Sequence, residues 1–160
     1  MSWLFPWLLF LHVLGAILAF GPTFSFAIIG AMAGKEPQHA NFATRATQAV
    51  GNRLVAPLAI SMAVTGLGLI LVTGRNPLDR GNWWLAIAIV IYAIALWFSI
   101  AVQNRDVARI ISLTSAPPPP GASGPPPELP PIVRRVQRGG MFLGLAVIVI
   151  VFLMVVKPQF

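Results

Sequence analysis

The side chain best placed to do chemistry is His12, in the apolar run Leu11-His12-Val13-Leu14-Gly15. An imidazole in hydrocarbon needs a hydrogen-bond partner. A carbonyl of a neighbouring helix or a polar residue such as Thr65 would supply one. The sharper reading makes His12 an axial ligand for haem or another tetrapyrrole, since imidazole commonly binds such metals. No second axial ligand stands out. His39 lies in a polar link, and the sequence does not place Met32, Met62, Met141 or Met154 relative to His12. A two-fold dimer would supply His12 twice.

Little else in the sequence points to catalysis. The apolar runs carry no Asp, Glu, Lys or Arg in their cores, which argues against a proton pump, a voltage sensor or a carboxylate-driven transporter. No His, Asp and Glu cluster has metal-ligand spacing, no nucleophile has a plausible base, and no glycine-rich phosphate loop precedes a helix. The chain has no cysteine, so thiolate metal sites and disulfides are excluded.

Three further patterns concern binding rather than reaction. Gly30 with Gly34, and Gly140 with Gly144, form two GxxxG pairs, a spacing that lets helix backbones approach closely within a bundle or against a partner. Arg45 and Arg53, eight residues apart, fall on nearly the same helical face. With Arg134, Arg135 and Arg138 they predict a cytoplasmic basic rim that meets anionic lipid or, more specifically, an anionic ligand. Residues 117–131 hold nine prolines and favour extended polyproline geometry rather than helix. The stretch serves as a spacer, with PxxP content that suits an aromatic groove.

The elements that must position these groups are membrane helices. Of 160 residues, 57% are hydrophobic and only 9% charged, against about a quarter charged in soluble domains. Crossing a bilayer takes about 20 apolar residues as a helix. Four segments approach or exceed that length: 3–33, 54–73, 83–102 and 140–156. They are apolar on every side, so strands of a membrane barrel are excluded and the fold class is all-α, a four-helix transmembrane bundle. The whole of 1–160 is one transmembrane domain with a proline-rich linker, 116–131, between the third and fourth helices. The first segment is long enough to tilt, and Gly21-Pro22 is where a bend is expected. Gly74, Asn76-Pro77 and Gly81 make the link between spans two and three a tight turn.

The links 34–53 and 103–139 hold eight Lys/Arg and the other side three. The positive-inside rule then puts both links in the cytoplasm and both termini outside, across the inner membrane of a bacterium. Trp3, Trp7, Trp83 and Trp84 fit an aromatic belt at the outer interface. The net charge of +7 thus reads as topology, and no nucleic-acid partner is expected.

The order of features resembles a known group. His12 lies early in span one, Arg45 in a polar link, and Thr65-Gly66 in span two. Trp83-Trp84 opens span three, which runs on to Arg105 and Arg109. The layout looks like bacterial predicted integral membrane proteins grouped as a domain of unknown function, DUF2269. More distantly, the histidine of span one and the Thr-Gly of span two are similar to CopD-like and HemJ-like four-helix membrane proteins. The HemJ-like resemblance would imply haem binding and protoporphyrinogen oxidation, and only His12 carries over, as a ligand.

The leading expectation is a non-catalytic multi-pass membrane protein, structural or an accessory subunit of a membrane complex, with other membrane subunits or a second copy as partners and no cofactor. One alternative is a haem-binding redox protein using His12. The other is a small transporter or channel, for which only Thr23, Ser25, Ser61, Thr65, Tyr92 and Ser99 offer polar lining.

Overall fold

The computed structural model describes residues 3–115 and 124–158. Four helices account for most of them: α1 (Leu4–Lys35), α2 (Pro37–Thr73), α3 (Trp83–Thr114) and α4 (Leu129–Val156). No strand occurs among the described residues. Each helix is long and apolar enough to cross a membrane, and large apolar side chains such as Ile17, Ile28, Val64, Leu71, Leu145 and Val155 point outward. Such a surface suits a lipid solvent and no aqueous one.

Every helix outruns its apolar segment. At 1.5 Å per residue, α2 measures about 55 Å and α3 about 48 Å, against a hydrocarbon core of about 30 Å. The excess lies on one side, where the two polar links leave the bundle. The 34–53 link is almost entirely helix: only Glu36 separates α1 from the short 3-10 turn Pro37–His39 that begins α2. The far end of α3 (Asn104–Thr114) and the near end of α4 extend the bundle on the same side.

The proline expectation needs one correction. Residues 117–120 lie outside the described residues, but Leu129, Pro130 and Pro131 form the first turn of α4 rather than extended chain. Proline is tolerated there because the first-turn N–H groups have no helical acceptor to lose. In α1 the helix continues through Gly21-Pro22. Just beyond the proline, the Thr23 and Ser25 hydroxyls donate to the carbonyls of Phe20 and Pro22, each at 2.6 Å. Such hydroxyl bonds help a membrane helix absorb a proline.

The helices form two antiparallel pairs. In the α1–α2 pair, Leu8 lies against Gly68, His12 against Thr65-Gly66 and Gly15 against Met62. Ala19, one turn beyond Gly15, has no exposed surface. In the α3–α4 pair, Trp84, Leu85 and Ala88 pack with Leu153 at one end. Phe98 meets Phe142 edge-on in the middle, with ring centroids 5.3 Å apart. Asp106 meets Arg135 beyond the apolar zone.

Contacts at three levels join the pairs. Asn41 of α2 donates to the Ile111 carbonyl and to the Thr114 hydroxyl of α3, at 3.2 and 2.9 Å. The Tyr92 hydroxyl donates to the Ala59 carbonyl. Ile70 packs on the Trp84 cluster. Lipid offers apolar side chains as good an environment as a neighbouring helix does, so close packing and hydrogen bonds must hold the bundle.

The short connection is a folded turn. Gly74 closes α2 in the left-handed region, φ 65°, which costs glycine nothing. The Asn76 side chain accepts from the Leu78 N–H, and Asn82 donates to the Asn76 carbonyl. Of the tryptophans assigned to a belt, Trp3 and Trp83 are exposed at 71% and 53%, as is Trp7. Trp84 is 4% exposed and belongs to the core. Neighbouring helical residues point about 100° apart, so when Trp83 faces outward Trp84 turns in.

Candidate functional site

His12 sits one-third of the way along α1, on the face that meets α2. Its Nδ1 lies 2.9 Å from the Thr65 hydroxyl oxygen. That hydroxyl is also 3.2 Å from the Met62 carbonyl, one turn earlier in α2. Thr65 has one proton, and the carbonyl can only accept. With the imidazole proton on Nδ1 donating to Thr65, the hydroxyl proton is free for Met62 and both contacts are made at once. Gly66 completes the seat, since a β-carbon built there would stand 3.2 Å from His12 Cε1. The Thr65-Gly66 step thus supplies a partner and a flat surface for one ring.

In this tautomer Nε2 carries the lone pair, the pattern seen where a histidine binds a metal and anchors its other nitrogen. The surroundings do not fit an enclosed tetrapyrrole within one chain. Met62 is spent packing on Gly15, Met32 and Met141 face outward, and His39 lies beside Glu36 at the end of the bundle. Neither of the two best-formed cavities among the described residues is lined by His12. Among the described residues no group of three His, Asp or Glu could hold a metal ion.

Five of the six hydroxyls considered for a pore lining already donate to carbonyls. Thr23, Ser25, Ser61 and Thr65 donate to carbonyls of their own helices, and Tyr92 to α2. None of these five has a donor left to line a polar passage.

The glycine pairs and the basic rim divide on inspection. A β-carbon built at Gly30, Gly34, Gly140 or Gly144 meets nothing within 4 Å. The glycines that bring helices together inside the chain are others: Gly15, Gly66 and Gly68 in the α1–α2 seam, and Gly139 in α4. A β-carbon at Gly139 would overlap Gln103 Oε1 and stand 3.1 Å from the Phe98 ring. Gly15 with Ala19 is a small-xxx-small pair, a signal legible in the sequence once alanine is admitted to the motif.

Of the five arginines, Arg45 and Arg53 line one groove on α2. Arg135 is taken up by Asp106, with two hydrogen bonds of 2.5 Å. The bonded carboxylate raises the Arg135 pKa above its ordinary value, so the guanidinium stays charged. Arg134 and Arg138 are exposed on α4. Arg109, not counted in the rim, pairs with Glu128 at 2.8 Å and spans the ends of the proline-rich link.

The layout of these features is also that of a family. The description "predicted integral membrane protein (DUF2269)" matches residues 6–158. The chain belongs to this family. The match runs from the start of α1 to the end of α4, so the family covers the His12 seat and the proline-rich link alike. No curated protein and no solved structure matches the chain.

Proposed function

We propose that this member of the DUF2269 family is a non-catalytic accessory subunit that docks against another membrane protein through the glycine-bearing faces of α1 and α4. The observation that carries this reading is the open space over Gly30, Gly34, Gly140 and Gly144. Paired small residues with no neighbour inside the chain leave room for another helix to approach at backbone distance. The use of the polar side chains supports the same reading. His12, Asn41, Tyr92, Gln103, Asp106 and Arg109 each tie one helix to another or close a link. By the charge balance of its links, the protein lies in a bacterial inner membrane with the extended helix ends in the cytoplasm.

The test is gentle detergent purification with mass spectrometry of co-purifying proteins and a visible spectrum. A stoichiometric membrane partner is expected, and G30L and G140L should release it without lowering the thermal midpoint of the chain. A lone monomer with a stoichiometric cofactor and turnover would overturn the proposal. The tautomer assigned to His12 favours one second reading, in which two copies present Nε2 to one haem. A Soret band abolished by H12L would establish that reading, and a colourless sample would dismiss it.

A further inference from the structure

Arg45 and Arg53 share an open groove of about 720 Å³, lined also by Gln48, Asn52, Phe42 and, from α3, Ile111. Their meeting there depends on a local irregularity of α2. Their spacing alone does not give the shared face expected from the sequence, because in a regular α-helix residues eight apart lie about 80° round the axis from each other. Residues Gly51–Val55 form a π turn, and i→i+5 bonding takes up about one extra residue per turn. That insertion swings Arg53 back to within about 20° of Arg45. Single π turns inside α-helices occur frequently at functional sites.

The charge balance then leaves the groove without a counter-ion. The chain has four acidic residues. Asp79 lies in the short turn at the other end of the bundle. Asp106 is bound by Arg135, Glu128 by Arg109, and Glu36 lies 3.9 Å from His39. Among the described residues neither Arg45 nor Arg53 makes an ion pair, and of the carboxylates on their side only Glu36, exposed beside His39, is not held by an arginine. Two guanidinium forks matched to phosphate geometry, two side-chain amides and an apolar neighbour, Phe42 at 74% exposure, converge on one concavity.

We infer that this groove binds a phosphate-bearing anion, with Arg45 and Arg53 on the phosphate oxygens and Gln48 and Asn52 on the adjoining ester or hydroxyl groups. Exposed Phe42 beside the forks suits an amphiphile, so the headgroup of an anionic phospholipid is the favoured source and a soluble phosphate ester the other.

The full chain is reconstituted into nanodiscs of phosphatidylcholine with and without phosphatidylglycerol, and the lipids retained on release are counted by native mass spectrometry. Selective retention of phosphatidylglycerol is expected, weakened about 30-fold in R45Q/R53Q at about a factor of five per basic residue. R134Q/R138Q removes the same charge outside the groove and should weaken retention clearly less than R45Q/R53Q does. A49W fills the groove without altering charge and should abolish retention, so the inference stays testable if the arginine variant does not fold. A calorimetric titration with pyrophosphate in phosphatidylcholine nanodiscs covers the second source; binding there that R45Q/R53Q abolishes would assign the groove to a soluble phosphate ester. Equal retention by wild type and R45Q/R53Q without pyrophosphate binding, equal loss in both arginine pairs, or full retention by A49W would each overturn the inference.

Discussion

If His12 is a structural tie, its energetic partner is Thr65, and a double-mutant cycle measures the bond directly. T65V keeps the shape of the side chain and removes the acceptor at 2.9 Å from Nδ1. H12L removes the donor. Interhelical hydrogen bonds within membranes contribute about 0.6 kcal/mol on average and about 1.7 at most. His12 is half-buried, so the upper part of that range applies. A coupling energy of about 1 to 1.5 kcal/mol is expected. T65V alone should cost about 1 to 2 kcal/mol, since it leaves a donor unpaired. The assay is reversible unfolding of the purified chain in mixed detergent micelles, followed by circular dichroism. T23V is the control, because the Thr23 hydroxyl bonds only within α1 and should show no coupling to H12L. A His12–Thr65 coupling below about 0.3 kcal/mol, the scatter of independent sites, would refute the tie and the tautomer built on it.

Three other outcomes follow from the same geometry. G139A forces Gln103 away from its bond to the Val136 carbonyl and presses on Phe98; it should cost about 1 to 3 kcal/mol, whereas G144A, with open space in a helix, should be neutral or slightly stabilising in the same unfolding assay. D106N should lower the thermal midpoint more than E128Q, because Asp106 is 8% exposed while Glu128 stands in water; equal shifts would show that burial is not what matters. With no native cysteine, L78C and S112C report topology cleanly: an impermeant maleimide should label L78C in intact cells and S112C only after lysis.

The membrane helices were legible because hydrocarbon demands long apolar runs, and 54–73 and 83–102 carry no charged residue. Their extensions were less so. Beyond the bilayer a helix needs only one apolar face, and Asn41–Val50 and Asn104–Thr114 become definite helices by packing on each other through Asn41 and Ile111. Proline content misled at Pro130 and Pro131, where position in the first turn outweighs propensity. The GxxxG pattern gave spacing without direction. Gly30 and Gly140 face away from the bundle, while Gly15 and Ala19, the same motif in a broader alphabet, form the seam. Likewise Arg135 counted as one of five rim charges until the antiparallel register of α3 and α4 set it opposite Asp106. The His12–Thr65 contact is different: both residues were visible, and the register that joins Leu8 to Gly68 and Gly15 to Met62 makes it almost unavoidable.

That register also gives the molecule an orientation. Gly30 and Gly34 end α1 on the side of the long links, and Gly140 and Gly144 enter the membrane from the same side along α4. The groove of Arg45 and Arg53 is there as well. The opposite end offers the Asn76 turn, whose side chains bond among themselves, and the apolar packing of the Trp84 cluster. Open backbone and unbalanced positive charge therefore occur together at one end of the bundle. A helix seated on the glycine faces would emerge from the bilayer near Arg45 and Arg53, and its own acidic residues would compete with phosphate for them. The two proposals are separable for this reason. If a partner supplies the counter-ion, R45Q/R53Q releases the partner and leaves phosphatidylglycerol retention as it was; if lipid supplies it, the same variant loses lipid and keeps the partner, because the glycine faces are untouched.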